Sequence, residues 1–232
     1  MKCLLLLSLF TGLNVQALKI SEKQHKALKQ TLELPLNRRI QFFQKRPHYF
    51  VYLEHIFQTP ESSPSMKWQA LMSMTRLNPQ KAKPYIDQAL NNSDWFLKNA
   101  GLIALEIIQP KSAVRKAAQF LDHPALMLRT ASVELIRRRK ARQYKDILWT
   151  QLGDPQNFKN GKSLWVRYTI AQTLSELSDS KDRDLFFALL EDADPRINSI
   201  ALRTLQRIKP LQKNRRRNSP MLAREKTQKK TL

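Results

Sequence analysis

Four positions share a place in a recurring pattern, and three of them carry side chains suited to holding an anion. Lys83, Val114, Lys145 and Arg183 each stand seven residues before a leucine (Leu90, Leu121, Leu152, Leu190), with Arg115 beside the one uncharged exception. Four residues further on come Asp87, Ala118, Trp149 and Phe187. Long cations beside flat rings can hold an acidic peptide, a glycan or a single nucleic-acid strand. In a plainer reading, Trp149 and Phe187 are core and the charges only keep the surface soluble. A second cluster is "IRRRKARQYK" (Ile136–Lys145), with Arg137, Arg138, Arg139, Lys140, Arg142 and Lys145. Cations favour a helix C-terminus, which accounts for some of them, and the remainder points to an anion-binding patch. Arg215, Arg216 and Arg217 form a third group, suited to a partner or an anionic membrane surface, or simply to solubility.

Other chemistry finds little footing. His48, Glu54 and His55 are the one cluster that invites a metal reading, but the histidines lie seven apart, two turns along one helix face, too far for two ligands of one ion without help. There is no G-x-S-x-G, no phosphate-cradling glycine loop and no H-E-x-x-H. Glu106, Glu134, Glu176 and Glu191 fall in helical or helix-end contexts without an evident paired site. The expectation is a binding protein, not an enzyme, with no cofactor and no metal. Charge says what it binds: 41 Lys+Arg against 19 Asp+Glu give +22 over 232 residues. That excess suits nucleic acid, an anionic lipid surface, an acidic glycan or cell-wall polymer, or an acidic protein, and says nothing of fold.

The N-terminus bears on which of these is met. "MKCLLLLSLFTGLNVQA" has a basic start, an apolar stretch from Cys3 to Leu13, and small side chains at Val15 and Ala17. The stretch is too short to span a bilayer and fits a secretory signal over 1–17. Cys3 is the sole cysteine, so the chain after Ala17 has none and relies on packing, as suits a periplasmic or secreted bacterial protein.

The elements that position these residues follow from an internal repeat. "LKNAGLIAL" from Leu97 has relatives starting at Met66, Leu128, Val166 and Ile197, spaced by 31, 31, 38 and 31 residues. The first position is always apolar, and so is the ninth: Met74, Leu105, Ile136, Leu174 and Leu205. The four leucines named above run at 31, 31 and 38, and both series place the seven extra residues in "GDPQNFKNGKSLW" (Gly153–Trp165), read as a loop insertion. Each unit is thus a helix, a short turn, a second helix and a short loop. Gly101 sits at the fifth position of its helix, where other units have Ala70, Ser132, Ala201 and the exception Ile170. A small residue there lets helices approach closely, so Gly101→Leu should clash and Gly101→Ala be tolerated. Trp68, Trp95 and Trp165 fall at helix starts or loops and read as packing between units.

This pattern resembles the short bacterial HEAT-like repeats first recognised in phycobilin lyases. "DADPR" before Ile197, Val166–Arg167, Leu128–Arg129–Thr130–Ala131 and Ala104–Leu105 carry the likeness, over Ser65 to about Ile208. The resemblance implies an all-α fold, a right-handed α-solenoid of helical hairpins, with the second helices along the concave face. It also implies a ladder between an Asp and the basic residue after the first apolar position. Here that position reads Lys67, Lys98, Arg129, Arg167 and Asn198 without regular Asp partners, so part of the row is expected to be unpaired. HEAT-like folds include DNA glycosylases, whose catalytic residues find no match here. The expected organisation is a signal at 1–17, an N-terminal helical cap or degenerate repeat at 18–63, the repeat array at 64–208 and a basic tail at 209–232. Before the array, three helices are expected, broken at Pro35, Pro47 and Thr59–Ser65, with Ser21 and Gln24 as a capping box.

Overall fold

A computed structural model describes residues 22–208. The expected signal, the Ser21 cap and the tail with Arg215, Arg216 and Arg217 lie outside the described residues. The described residues divide into two compact units, one up to Leu135 and the other from Ile136 onward. Among the described residues are twelve α-helices and one two-stranded hairpin, so the fold is all-α with a small β insertion. No helix among these residues is long and apolar enough to cross a membrane.

In the first unit, α1 (Glu22–Glu33), α2 (Leu36–Gln44) and α3 (Tyr49–Gln58) precede two helical hairpins. These are α4 (Pro64–Leu77) with α5 (Pro79–Leu90), and α6 (Trp95–Ile108) with α7 (Pro110–Gln119). Local chemistry sets their bounds. Ser63 accepts from the Met66 N–H, Asn78 from Lys81 and Asp94 from Phe96, satisfying amides that the first turn leaves without partners. Asn78 ends α4 and starts α5, and Gln109, 31 residues on, does the same between α6 and α7. Both are non-helical (φ −150°, ψ 92° and φ −142°, ψ 73°) and both precede a proline. Proline disfavours the helical conformation for the residue before it and needs no N–H partner at a helix start, so one residue suffices to reverse the chain.

Packing repeats in the same order. α4 packs on α5 and α6, and α6 on α5 and α7, while α2 and α3 both contact α4. Gly101 of α6 lies against the end of α5, as a close approach requires. A Cβ built there would stand 2.9 Å from the Leu90 backbone nitrogen and 3.1 Å from the Ala89 Cβ. The expected tolerance of alanine therefore fails: the obstacle is backbone, which cannot swing aside.

The last three residues of α8 (Leu126–Arg138) open the second unit, followed by α9 (Lys145–Leu152), α10 (Trp165–Leu177), α11 (Arg183–Ala188) and α12 (Pro195–Arg207). α10 packs on α9 and α12, and α11 on α12. α8 ends with Lys140 in the left-handed region (φ 49°), the Lys140 N–H donating to Arg137 and the Ala141 N–H to Ile136. That pairing is a Schellman ending built on a lysine instead of the usual glycine.

The seven-residue insertion is not a plain loop. β1 (Phe158–Lys159) and β2 (Lys162–Ser163) pair antiparallel about Asn160 and Gly161, whose φ values of 51° and 72° make a type I′ turn. Buried Asn157 ties the hairpin down by donating to the Gln151 carbonyl at 2.7 Å.

All five ninth-position side chains are buried, as are Leu97, Leu128, Val166 and Ile197 at the first. Met66 is only half-buried, because it follows the exposed stretch Ser63–Ser65 at the start of α4. Of the closing leucines, Leu90, Leu121 and Leu152 are buried. Leu190 is half-buried, because α11 stops after six residues and passes into a 3-10 turn (Leu189–Glu191).

Candidate anion-binding surfaces

Lys83 and Arg115 belong to the first unit. Lys83 reaches Asp87 at 3.1 Å, one helical turn on, with both side chains about half exposed. Arg115 is exposed on α7 and donates to the Ser112 hydroxyl at 3.1 Å. Between α5 and α7 lies an open cavity of about 300 Å³, lined by Asp87, Asn91, Ser112, Arg115, Lys116 and Gln119 among others. Its rim is polar on both sides, and Lys116 also lies over the Phe120 ring at 5.2 Å.

In the second unit the expected row has internal partners. Lys145 bonds the buried Asp182 carboxylate at 2.7 Å. Arg183 donates to the Leu205 and Ile208 carbonyls at 2.9 and 2.6 Å, closing the end of α12, and sits 5.1 Å from the Phe187 ring. Trp149 packs edge-on to buried Phe186 at 5.0 Å, while Phe187 is 47% exposed. The two expected aromatics thus divide between a half-core position and the surface. Arg137 pairs with Glu176 at 3.1 Å. Arg138, Arg139, Lys140 and Arg142 are exposed where α8 ends and the chain turns toward α9.

Three of the five residues after the first apolar position, Arg129, Arg167 and Asn198, are tied down. Buried Arg129 donates to the His123 and Pro124 carbonyls at 2.8 and 2.9 Å. Arg167 donates to the Leu152 carbonyl that ends α9, at 2.7 Å, and pairs with Asp192 at 2.5 Å, giving one rung of an Asp–Arg ladder. Asn198 donates to the Leu190 carbonyl. The physical reason is common to all: carbonyls at or beyond a helix end have no intrahelical partner and carry the negative end of the dipole, so long donors settle there. Spacing along the chain reveals carboxylate partners but not these carbonyl ones.

One arrangement was not foreseen from the sequence. The hairpin, the first turn of α10 and the start of α12 enclose a cavity of about 430 Å³, with Phe158, Lys162, Ser163, Arg167, Asp194 and Arg196 in its wall. Arg167 is buried there, its guanidinium 4.3 Å from the Phe158 ring and 2.5 Å from the Ser163 hydroxyl. Arg196 grips Asp194 through Nε and Nη2 at 3.0 and 2.7 Å. The Arg196 bonds hold the Asp194 carboxyl down to about 2, with the Arg196 amide and the Ser163 hydroxyl adding to that and burial opposing it. Arg196 also lies 5.9 Å from the Trp165 ring and 5.7 Å from that of Tyr168, while those two rings are 4.7 Å apart. Trp165 is 55% exposed, which corrects its reading as packing between units. Trp95 is likewise 38% exposed, whereas Trp68 does pack, against Phe96 at 4.8 Å. The Asn160–Gly161 pair was the available clue, but two-residue strands are too short for alternation to register.

The histidine cluster is dispersed among other contacts. His48 rests against Tyr49 and Tyr52, His55 Nε2 lies 3.4 Å from the Thr59 hydroxyl, and Glu54 accepts from the Tyr85 hydroxyl at 2.9 Å. Among the described residues, no three His, Cys, Asp or Glu side chains are placed to hold a metal ion. Compared with protein-family models and with curated protein sequences, the chain matches none.

Proposed function

We propose that the protein is a non-catalytic binding scaffold, a right-handed α-solenoid of HEAT-like hairpins, that captures the acidic surface of another protein. The observation carrying this reading is the α5–α7 cavity, where two successive second helices leave an open polar groove with Arg115 and Lys116 on one wall. The 31-residue recurrence of the Asn78 and Gln109 turns and the repeated packing order of each unit support the solenoid part. Charge supports the anionic partner. Arg183 bonds neutral carbonyls, which satisfies its donors without cancelling its charge. The resulting field steers an acidic partner in, and side-chain shape selects among partners. Export through residues 1–17 belongs to the same proposal and places the partner in a bacterial envelope or outside the cell; N-terminal sequencing of the fractionated protein tests it.

The binding test uses a fluorescent oligoglutamate peptide, labelled DNA and anionic liposomes, each titrated at several salt concentrations. The peptide should bind the full chain, and charge reversal at Arg115 and Lys116 together should weaken it about tenfold or more. Peptide binding unchanged by that double substitution would overturn the groove. DNA binding that persists at high salt while the peptide fails would favour a nucleic-acid partner instead.

A further inference from the structure

The cavity beside the hairpin lies in the second unit and is independent of the α5–α7 groove. Its size, about 430 Å³, falls within the range of pockets that hold small molecules. Its construction is also that of a held site. Buried Arg167 is locked by the Leu152 carbonyl, Ser163 and Asp192, so the wall is preorganised instead of assembled on demand. Asp194 in turn is gripped by Arg196, which fixes the direction of that guanidinium.

Charge counts decide the sign of the ligand. Lys162, Arg167 and Arg196 face the cavity, against the carboxylates of Asp194 in its wall and Asp192 behind Arg167. Lys162 is exposed and makes no ion pair among the described residues, and the Nη1 group of Arg196 takes no part in the two bonds to Asp194. One cation is thus in excess. The same Arg196 connects the cavity to the neighbouring Trp165 and Tyr168 rings. A tryptophan more than half exposed, beside a second ring and a fixed guanidinium, is a stacking platform for another flat group.

We infer that this pocket binds a nucleoside monophosphate, or a single-strand nucleotide of the same chemistry, the base stacked on Trp165 and the phosphate received by Lys162 and Arg196. An acidic peptide would use the cations but leave the Trp165 face unused. An uncharged sugar would use the ring and leave the excess cation unanswered. The base–phosphate combination uses both, within the reach that Arg196 spans between ring and cavity.

The test titrates the full chain with uridine monophosphate at about 150 mM salt, where distant surface charges are screened. Binding is followed by tryptophan fluorescence and calorimetry. Saturable binding at one site is expected. Trp165→Ala should weaken it about tenfold or more, Trp165→Phe should retain most of it, and Lys162→Ala should weaken it several-fold. Uridine alone and inorganic phosphate alone should each compete poorly. Trp165 is exposed, so its substitution should leave far-UV circular dichroism unchanged; should the alanine variant unfold, the phenylalanine and Lys162 variants still decide. The inference is overturned by absence of saturable binding, by binding that ignores both Trp165→Ala and Lys162→Ala, or by phosphate, uridine, a uronic-acid disaccharide or oligoglutamate competing as well as the nucleotide. Charge reversal at Arg115 and Lys116 should leave nucleotide binding intact, which separates this inference from the groove.

Discussion

Replacing Gly101 by alanine sets two well-characterised effects against each other at one atom. Alanine in mid-helix is favoured over glycine by about 1 kcal/mol. The new Cβ, however, would stand 2.9 Å from the Leu90 backbone nitrogen, 3.0 Å from the Leu90 Cγ and 3.1 Å from the Ala89 Cβ. A side-chain tip could rotate away, but the backbone nitrogen moves only if the end of α5 moves with it. Such overpacking costs about 1–3 kcal/mol, so the net expectation is a loss of about 1 kcal/mol. For a chain of this size that corresponds to a fall in Tm of about 2–4 °C. Thermal and urea unfolding measure it, with amide exchange across α5 and α6 showing whether the loss is local. Gly153→Ala is the control, since a Cβ there meets nothing nearer than the Thr150 carbonyl at 3.8 Å; it should be neutral or slightly stabilising. Gly101→Leu should be much worse than Gly101→Ala. A Gly101→Ala protein as stable as the parent would refute the close approach as the reason for glycine.

Three further outcomes follow from the same contacts. Arg167→Leu should destabilise by about 3–5 kcal/mol, because it leaves the Asp192 charge and the Leu152 carbonyl without their donor; adding Asp192→Asn should return part of the loss in denaturant titrations. The Asp194 carboxyl is held down at about 2 against an ordinary 3.8, so its contribution is present above pH 3.8 and is lost as the pH falls toward 2. Asp194→Asn should lack that part of the acid dependence, and acid titrations of the two proteins that run parallel between those values would contradict the pairing. The Tyr85 phenol is pushed up to about 12 by burial and by its bond to the Glu54 carboxylate. Its neutral form therefore contributes stability below pH 10 that is lost as pH rises through 12, and ultraviolet absorbance should show one tyrosine ionising late, earlier in Glu54→Gln.

Helix starts and turns were legible in the chain because their causes are local. Ser63, Asn78, Asp94 and Asp194 cap within three residues of themselves, and Pro79, Pro110 and Pro195 occupy first turns. Breaks at Pro35, Pro47 and Thr59–Ser65 do divide α1, α2, α3 and α4. The candidate site was read less well. The arginines of "IRRRKARQYK" fall at a helix end as their number suggested, yet Lys140 proves to hold a left-handed ending. Trp149 and Phe187 share a register position but not a degree of burial, since Trp149 packs on buried Phe186 whereas Phe187 is 47% exposed.

By itself, then, the amino-acid order determined where helices begin and stop, which positions face inward at 31-residue intervals, and how large the cationic excess is. Each depends on neighbours within a few residues or on simple counting. Only the tertiary structure decided what the long cations hold. Arg183 reaches carbonyls at Leu205 and Ile208, and Arg167 reaches Leu152 and Asp192, partners separated by 15 to 25 residues. A guanidinium bonds whichever acceptor packing brings within about 3 Å, and backbone carbonyls are the same in every residue type, so no side-chain pattern announces them. The cavity beside Trp165 arises in the same way, from a hairpin whose two short strands matter for where they place Ser163 and Lys162.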